Sequence, residues 1–173
     1  MNERAAALFQ CSPRNITIRS VSHAPYSQRN HGHNPSTAAP DALEPTLQSA
    51  QRIALNNGYD SFLMFNVYAQ RATRPDDMEL TCNAALHAEN RKAFRYLLSL
   101  SEQPAIWAAW GNIIEKRDYL MDCMRDFAAD GQAAGARWFT AGPLLKSGHP
   151  HHPLYLKAAI PLQPFDIDAY LNR

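Results

Sequence analysis

Hydrophobic residues follow no regular spacing before Pro45 and a regular one after it. The first 45 residues are polar and contain five prolines, and only Asn15–Arg19 alternates apolar and polar side chains as a short strand does. After Pro45, apolar residues recur at helical spacing up to Asn57 and Gly58, a pair that favours a left-handed helix end. The pattern predicts a loop-rich beginning followed by a helix of about three turns.

Two later segments, residues 61–68 and 105–110, are nearly continuous apolar runs, which are typical of strands covered on both faces of a parallel sheet. A shorter apolar run at 136–140 predicts a third strand. Helical spacing predicts further helices at 82–99, 112–129 and 167–171. Helices that alternate with buried strands indicate an α/β fold with a parallel sheet and helices on both of its faces.

Length and charge narrow the class of protein. A chain of 173 residues buries one sizeable core, so we expect a single domain over 1–173, with a loop-rich segment at 1–33 and a core at 34–156. The net charge of +1, from 17 Lys+Arg and 16 Asp+Glu, excludes binding of nucleic acid through a global basic field. A nucleic-acid partner would need a local basic patch.

The three cysteines, Cys11, Cys82 and Cys123, lie far apart and form no CxxC pair. This spacing argues against a disulfide framework and against a structural zinc site, and it fits a reducing compartment. No apolar run approaches the roughly 20 residues of a membrane span, and the first residues lack the order of a signal peptide. We therefore expect a cytoplasmic protein that does not enter a membrane.

Polar segments begin where each of the three predicted strands ends, at 66–75, 110–112 and 142–153. Ligands of α/β folds bind beyond the carboxyl ends of strands, so we expect functional side chains here. Asn66 ends an apolar run, and its amide is suited to the edge of a pyrimidine, although a core asparagine bonded to a neighbouring loop fits equally. Arg71 suits a phosphate contact or a solvated turn.

A shorter polar stretch, HGHNPST at residues 31–37, contains an Asn-Pro pair. Proline forces Asn34 towards an extended or turn conformation, while Ser36 and Thr37 are able to cap a helix or contact a phosphate. A capped turn explains the same residues without any ligand.

Three histidines, His149, His151 and His152, share the stretch GHPHHPLYL. The stretch lacks cysteine and carboxylate, and histidines on a proline-fixed backbone point in different directions, so we expect no metal and no other cofactor. The chain also lacks the GxSxG pattern of a serine hydrolase and the glycine-rich phosphate loop of an NTPase.

Taken in order, the segments HNPSTAAPDALEPT, FNVYAQRATRP, AAWG and GHPHHPLYL resemble family 1643 of the domains of unknown function over residues 34–156. The same order is similar, more distantly, to the uracil-DNA glycosylase superfamily. That resemblance implies a three-layer α/β/α sandwich with a short, mainly parallel four-stranded sheet.

The resemblance also implies roles for individual residues. Asn34 would position the attacking water, and Asn66, with Tyr68 close by, would bind the base. His152 would stabilise the departing base, and Leu154 or Tyr155 would enter the gap that the flipped base leaves in the duplex.

Three points of the resemblance leave alternatives open. Asn34 stands where the most active uracil enzymes carry Asp, so Asp41 or Glu44 is a second candidate for activating water. Both His149-Pro150 and His152-Pro153 fit the superfamily's His-Pro loop, and we favour His152 because Leu154 follows its proline. The residues expected to contact DNA phosphates are Ser36, Thr37, Arg71 and Lys146.

The expected function is that of a DNA glycosylase-like hydrolase, which cleaves the N-glycosidic bond of a flipped pyrimidine or modified pyrimidine. Base excision repair and antiviral defence are settings in which such an enzyme acts, and DNA is the expected partner. Two alternatives use the same cleft: a non-catalytic module that binds nucleic acid or nucleotides, and a hydrolase of free nucleosides or nucleotides.

Overall fold

The computed structural model describes residues 6–10, 45–70 and 75–173. The strands are β1 (Ala6–Gln10), β2 (Phe62–Asn66), β3 (Ala105–Ala108), β4 (Arg137–Ala141) and β5 (Leu162–Pro164). The helices are α1 (Pro45–Asn56), α2 (Ala84–Leu98), α3 (Tyr119–Ala133) and α4 (Ile167–Leu171). Short 3₁₀ turns cover Pro75–Asp77, Gly111–Glu115 and Pro153–Tyr155. None of the helices in these ranges is long and apolar enough to cross a membrane.

The strands form one mixed sheet in the order β2-β1-β3-β4-β5. Of the five described strands, only β3 and β4 pair in parallel, whereas β1 is antiparallel to both of its neighbours and β5 is antiparallel to β4. The expectation of a mainly parallel, four-stranded sheet is therefore wrong. The apolar run of a buried strand records that both faces are covered, but it does not record the direction of the neighbouring strands.

Helices cover both faces of this sheet, as the alternation of helices and buried strands predicts. Along β3, Ile106 and Ala108 point to the side of α2, α3 and α4, and Trp107 points to the side of α1. The α1-side core consists of Ala50, Ile53, Ala54, Phe62, Trp107, Ala109 and Ala141. The larger core on the other side contains Phe94, Trp110, Phe127, Trp138 and Tyr170 among its members.

The first helix agrees with its prediction in both start and end. It begins at Pro45 and is followed by Gly58 at φ +80°, the left-handed conformation that glycine tolerates best. Asn57 then joins the helix to β5, because its Nδ2 donates to the Ile160 carbonyl and its Oδ1 accepts from the backbone N–H of Leu162. Helices α2 and α4 also confirm their predicted segments.

The third helix departs from its predicted span of 112–129. The chain first makes the 3₁₀ turn Gly111–Glu115, and α3 begins only at Tyr119 and continues to Ala133. Gly131 lies inside α3, where an added Cβ would sit 3.4 Å from Ile106 and Trp138 side-chain atoms. This glycine therefore brings the helix close to the sheet and does not end it.

An ion-pair cluster joins α2 to α3. Arg91 donates from Nε and Nη2 to the two carboxylate oxygens of Asp130, at 2.8 and 2.9 Å. Burial alone would raise the pKa of Asp130, but the contacts with Arg91 and Arg95 outweigh it and lower that pKa below its usual value. This bidentate pair orients the two helices on the larger core.

Replacing Arg91 tests this pair. Arg91→Gln leaves the largely buried Asp130 without its bidentate partner, so we expect the free energy of unfolding to fall by about 2 kcal/mol at pH 7. The pair's contribution is complete above the unfolded pKa of Asp, roughly 3.9, and is lost as the pH falls through the lower, folded pKa. Urea denaturation of both proteins should show the difference narrowing below about pH 4.

The matched control is Lys92→Gln on the same helix. Lys92 is exposed and lies 3.9 Å from Glu89, so we expect a loss below about 0.5 kcal/mol. Equal losses for the two variants would show that the Arg91 pair does not stabilise the α2–α3 packing.

Candidate functional site

The carboxyl ends of β2, β3 and β4 lie at one edge of the sheet. Because β1 is antiparallel to both β2 and β3, and β4 is parallel to β3, these three strands run in the same direction. Phe65 and Ala108 both pair with Ala7, so β2 and β3 end level with each other, roughly 10 Å apart across β1. The expected convergence of strand ends is confirmed for these strands.

The loop after β4 is bound directly to the end of β3. The backbone N–H of Gly111 donates to the Pro150 carbonyl at 3.0 Å, and Ser147 Oγ lies 2.6 Å from Asn112 Oδ1. Gly111 adopts φ +62°, and a Cβ at this position would lie 3.4 Å from the Cβ of His152. The Trp-Gly strand end and the His-Pro loop are therefore one assembled unit.

His152 is buried and occupies the cap position before the turn Pro153–Tyr155. Its Nδ1 accepts a long hydrogen bond, 3.4 Å, from the backbone N–H of Leu154. An imidazole nitrogen that accepts carries no proton, so this bond favours the tautomer with the proton on Nε2. Leu156, two residues further, packs in the α1-side core, which places the turn on that face of the sheet.

Asn66 lies on the same face. Alternation along β2 sets it with Phe62 and Met64, which belong to or pack against the α1-side core. Its Oδ1 is buried and has no hydrogen-bond partner among the described residues. The side chain of Asn90 bonds the backbone carbonyl of Asn66 and leaves this amide oxygen unmatched.

Trp107 carries a second unmatched atom on this face. Its indole Nε1 is buried and lacks a hydrogen-bond partner within the described part of the chain. Sequence reasoning missed Trp107, because a tryptophan inside an apolar run is indistinguishable from an ordinary core residue. The unmatched acceptor on β2 and the unmatched donor on β3 therefore lie on the same face of the sheet, with β1 between the two strands.

Tyr68, predicted beside Asn66 in base binding, belongs to the opposite core. Its hydroxyl donates to Glu79 Oε2 at 2.9 Å and accepts from the backbone N–H of Asn83 at 2.9 Å. Burial, with the Glu79 carboxylate nearby, raises the pKa of Tyr68 to about 12. The structure does not bring Tyr68 to Asn66 and His152, and its hydroxyl holds the connection that leads into α2.

The remaining predicted residues divide into two groups. Lys146 and Tyr155 are exposed and Leu154 is half-buried, all three on the loop that carries His152. Other predicted residues, and the predicted strand, lie outside the described residues: Asn34, Ser36, Thr37, Asp41, Glu44, Arg71 and 15–19. Among the described residues, the structure thus brings together the strand ends and loop that carry Asn66 and His152.

His149 lies in a buried hydrogen-bond network that the sequence did not indicate. Its Nε2 lies 2.8 Å from Glu115 Oε1, and its Nδ1 lies 2.8 Å from both Tyr170 Oη and Arg173 Nη2. Trp110 Nε1 donates to Tyr170 Oη at 2.9 Å, and burial raises the pKa of that hydroxyl above its usual value. Tyr170, Arg173 and Glu115 lie 21, 24 and 34 residues from His149 in sequence. Trp110 lies 39 residues away, and no spacing signal links these positions.

Metal binding finds no support in this network. Within 45–70 and 75–173, no three His, Cys, Asp or Glu side chains are grouped so that they could hold a metal ion. His149 pairs with Glu115, and its other contacts come from Tyr170 and Arg173. Neither of these two side chains is a usual ligand for a divalent metal.

Comparison with known families gives one match. The sequence profile of a family described as protein of unknown function (DUF1643) matches residues 31–154, more than two thirds of the chain. No curated protein and no solved structure matches significantly.

Replacing Gly148 tests how tightly the His-Pro loop is packed. Gly148 and Gly58 share φ +80°, so alanine costs each a similar backbone strain of about 1 kcal/mol. At Gly148 the new Cβ would also collide with the guanidinium of Arg173, whereas Gly58 has open space. We expect Gly148→Ala to lower the free energy of unfolding by about 1 kcal/mol more than Gly58→Ala. Equal losses in chemical denaturation would contradict the packing of Arg173 against this loop.

Proposed function

We propose that this chain, which belongs to the DUF1643 family, hydrolyses the N-glycosidic bond of a pyrimidine or modified pyrimidine flipped out of DNA. The observation that carries the proposal is that Asn66 ends β2 at the same edge of the sheet where the loop of His152 is bonded to Gly111, with Asn66 and Leu156 of that loop on the α1 face. A uracil-DNA glycosylase-like version of the α/β/α sandwich is the finer fold assignment within this proposal.

His152 would stabilise the departing base. When the bond between C1′ and the base nitrogen breaks, its electron pair leaves with the base and negative charge develops on the base oxygen. The bond from Leu154 N–H to His152 Nδ1 supports the role, because it leaves the proton on Nε2 for donation to that oxygen. A fixed donor at a developing charge needs no reorganisation during the reaction.

Asn66 would select the base. Its unmatched Oδ1 lacks a hydrogen-bond donor, and the imide N–H of a uracil- or thymine-type base would supply one. The adjacent carbonyl of the base would accept a hydrogen bond from Asn66 Nδ2. A base that satisfies a buried, unmatched oxygen gains affinity that an unsuited base lacks. We therefore favour a substrate base with the hydrogen-bonding groups of uracil, a donor beside an acceptor.

The loop around His152 supports contact with a duplex. Tyr155 is 62% exposed and adjoins the half-buried Leu154, so either is able to fill the gap left by a flipped base. Lys146, exposed on the same loop, is placed for a phosphate. With a net charge of +1, binding would rest on a few local contacts rather than on a long-range field.

In this proposal, the residues that bind the attacking water and the other DNA phosphates lie outside the described residues. Asn34 or Asp41 would hold the water that adds to C1′, and a nearby carboxylate would take the proton that the water releases. Ser36, Thr37 and Arg71 would contact phosphates. The segment that carries Asn34 and Asp41 leads directly into α1, the helix on the face of His152 and Asn66.

The first test is the activity of His152→Ala. Wild-type protein is incubated with duplex and single-stranded oligonucleotides that carry uracil, hydroxymethylated or glucosylated pyrimidines, and abasic sites are revealed by alkaline cleavage. Loss of the donor should slow base release by about 10²- to 10³-fold, whereas His151→Ala in the same loop should retain most of it.

The outcomes separate the alternatives. If no oligonucleotide yields abasic sites but free nucleosides are hydrolysed, the protein is a nucleoside hydrolase. If neither substrate reacts but DNA binds and Tyr155→Ala weakens binding, the protein is a non-catalytic binding module. Either result contradicts the glycosylase proposal.

The second test concerns base selection. Asn66→Asp keeps the size and the acceptor oxygens of the side chain but removes the amide donor and adds a charge, so we expect base release to fall by about 10²-fold or more. Asn112→Asp is the control, since Asn112 is exposed and its Oδ1 serves as the acceptor for Ser147, which a carboxylate also does. Equal activity of Asn66→Asp and wild type would show that Asn66 does not bind the base.

A further inference from the structure

We infer that His149 is a positioning residue, which together with Glu115, Tyr170 and Arg173 holds the His-Pro loop so that His152 presents its Nε2 proton to the base. The inference rests on the proposed function for its catalytic consequence. Its structural part concerns the loop alone and is measurable without a substrate.

His149 itself has no ring nitrogen left for a ligand. The side chain is 1% exposed, and both nitrogens lie 2.8 Å from partners in the protein. The histidine that looks equivalent to His152 in the sequence is therefore committed to internal contacts. This separates the two His-Pro pairs, because the second pair leads into Leu156, which packs against the α1-side core.

The partners of His149 select one tautomer. A guanidinium only donates, so the contact with Arg173 Nη2 requires Nδ1 to accept. The proton then lies on Nε2 and is donated to Glu115 Oε1, a charge-assisted hydrogen bond. A single arrangement of protons satisfies the ring, and this fixes its orientation.

The network ties the loop to three separate elements. Glu115 ends the 3₁₀ turn that follows β3, Tyr170 belongs to α4, and the guanidinium of Arg173 stacks 4.3 Å from the centre of the Tyr170 ring. Trp110, two residues after β3, donates to the same Tyr170 hydroxyl that contacts His149. The hydroxyl of Tyr170 is thus the shared point between the sheet edge and the loop.

The connection from His149 to His152 is short and stiff. Pro150 follows His149 directly and has its carbonyl bound by Gly111, and Pro153 follows His152. Each proline fixes its own φ and restricts the residue before it. The two prolines and the bond to Gly111 therefore limit how far the backbone between His149 and His152 is able to absorb a shift of His149.

The test uses Tyr170→Phe in the full chain, because this change keeps the ring and removes only the shared hydroxyl. Long-range ¹⁵N–¹H NMR spectra report the tautomer of His152 without any substrate. We expect wild type to show the proton on Nε2 and the variant to show a mixture of tautomers. In the base-release assay, kcat should fall about 10- to 100-fold while KM changes less than about twofold, as misplacement of a catalytic group predicts.

Three further variants serve as controls. Tyr96 is an exposed tyrosine on α2, so Tyr96→Phe should change neither the NMR spectra of His152 nor kcat. At position 149, His149→Gln retains one donor and one acceptor and should restore more of kcat than His149→Leu, which fills the space without polar atoms. This pair answers the question if Tyr170→Phe does not fold.

The failures of the inference and of the proposed function are distinguishable. If wild type releases no base but Tyr170→Phe alters the tautomer of His152, the loop is positioned as inferred and the glycosylase proposal is wrong. If wild type is active and Tyr170→Phe leaves both the His152 spectra and kcat unchanged, with His149→Leu equal to His149→Gln, the positioning inference is overturned.

Discussion

The hydrogen bond from the Gly111 N–H to the Pro150 carbonyl is the contact on which the candidate site depends. It joins the end of β3 to the loop after β4, and it does so where Gly111 takes a left-handed conformation and offers no Cβ to displace His152. Among the described residues, no other backbone hydrogen bond joins the loop 142–153 to the turn that follows β3. The buried contacts of His149 reinforce this link from the side of α4.

Buried polar atoms without partners lie on both faces of the sheet. On the face of α2, α3 and α4, the protein supplies the hydrogen bonds of His149 and of the Tyr68 hydroxyl, whereas His87 Nδ1 and Thr140 Oγ1 remain unmatched among the described residues. On the α1 face, Asn66 Oδ1 and Trp107 Nε1 remain unmatched within the same ranges. Buried polar atoms without partners are costly, so a ligand that supplied partners to Asn66 and Trp107 would gain affinity.

Periodicity was sufficient for the elements that depend on local pattern, and insufficient for those that depend on distant partners. The apolar spacing and the Asn-Gly end predicted α1, and a buried run predicted β3, because both signals lie within a few residues. The antiparallel β1 pairs with residues 52 to 60 positions away on β2 and 95 to 101 positions away on β3, and no local pattern records such distant pairing. The ends of the predicted strands indicated that Asn66 and His152 lie at one edge of the sheet. The network of His149 depends on distant partners, so the sequence did not indicate it.

The central claim is that Asn66 and His152 bind the same base. The most direct measurement is a crystal structure of the protein with a DNA duplex that carries 2′-fluorinated deoxyuridine, a nucleotide whose N-glycosidic bond resists cleavage. The account predicts a flipped base with the Asn66 amide and His152 Nε2 both within about 3.2 Å of its polar atoms. A base bound elsewhere, or one that contacts only one of these two side chains, would contradict it.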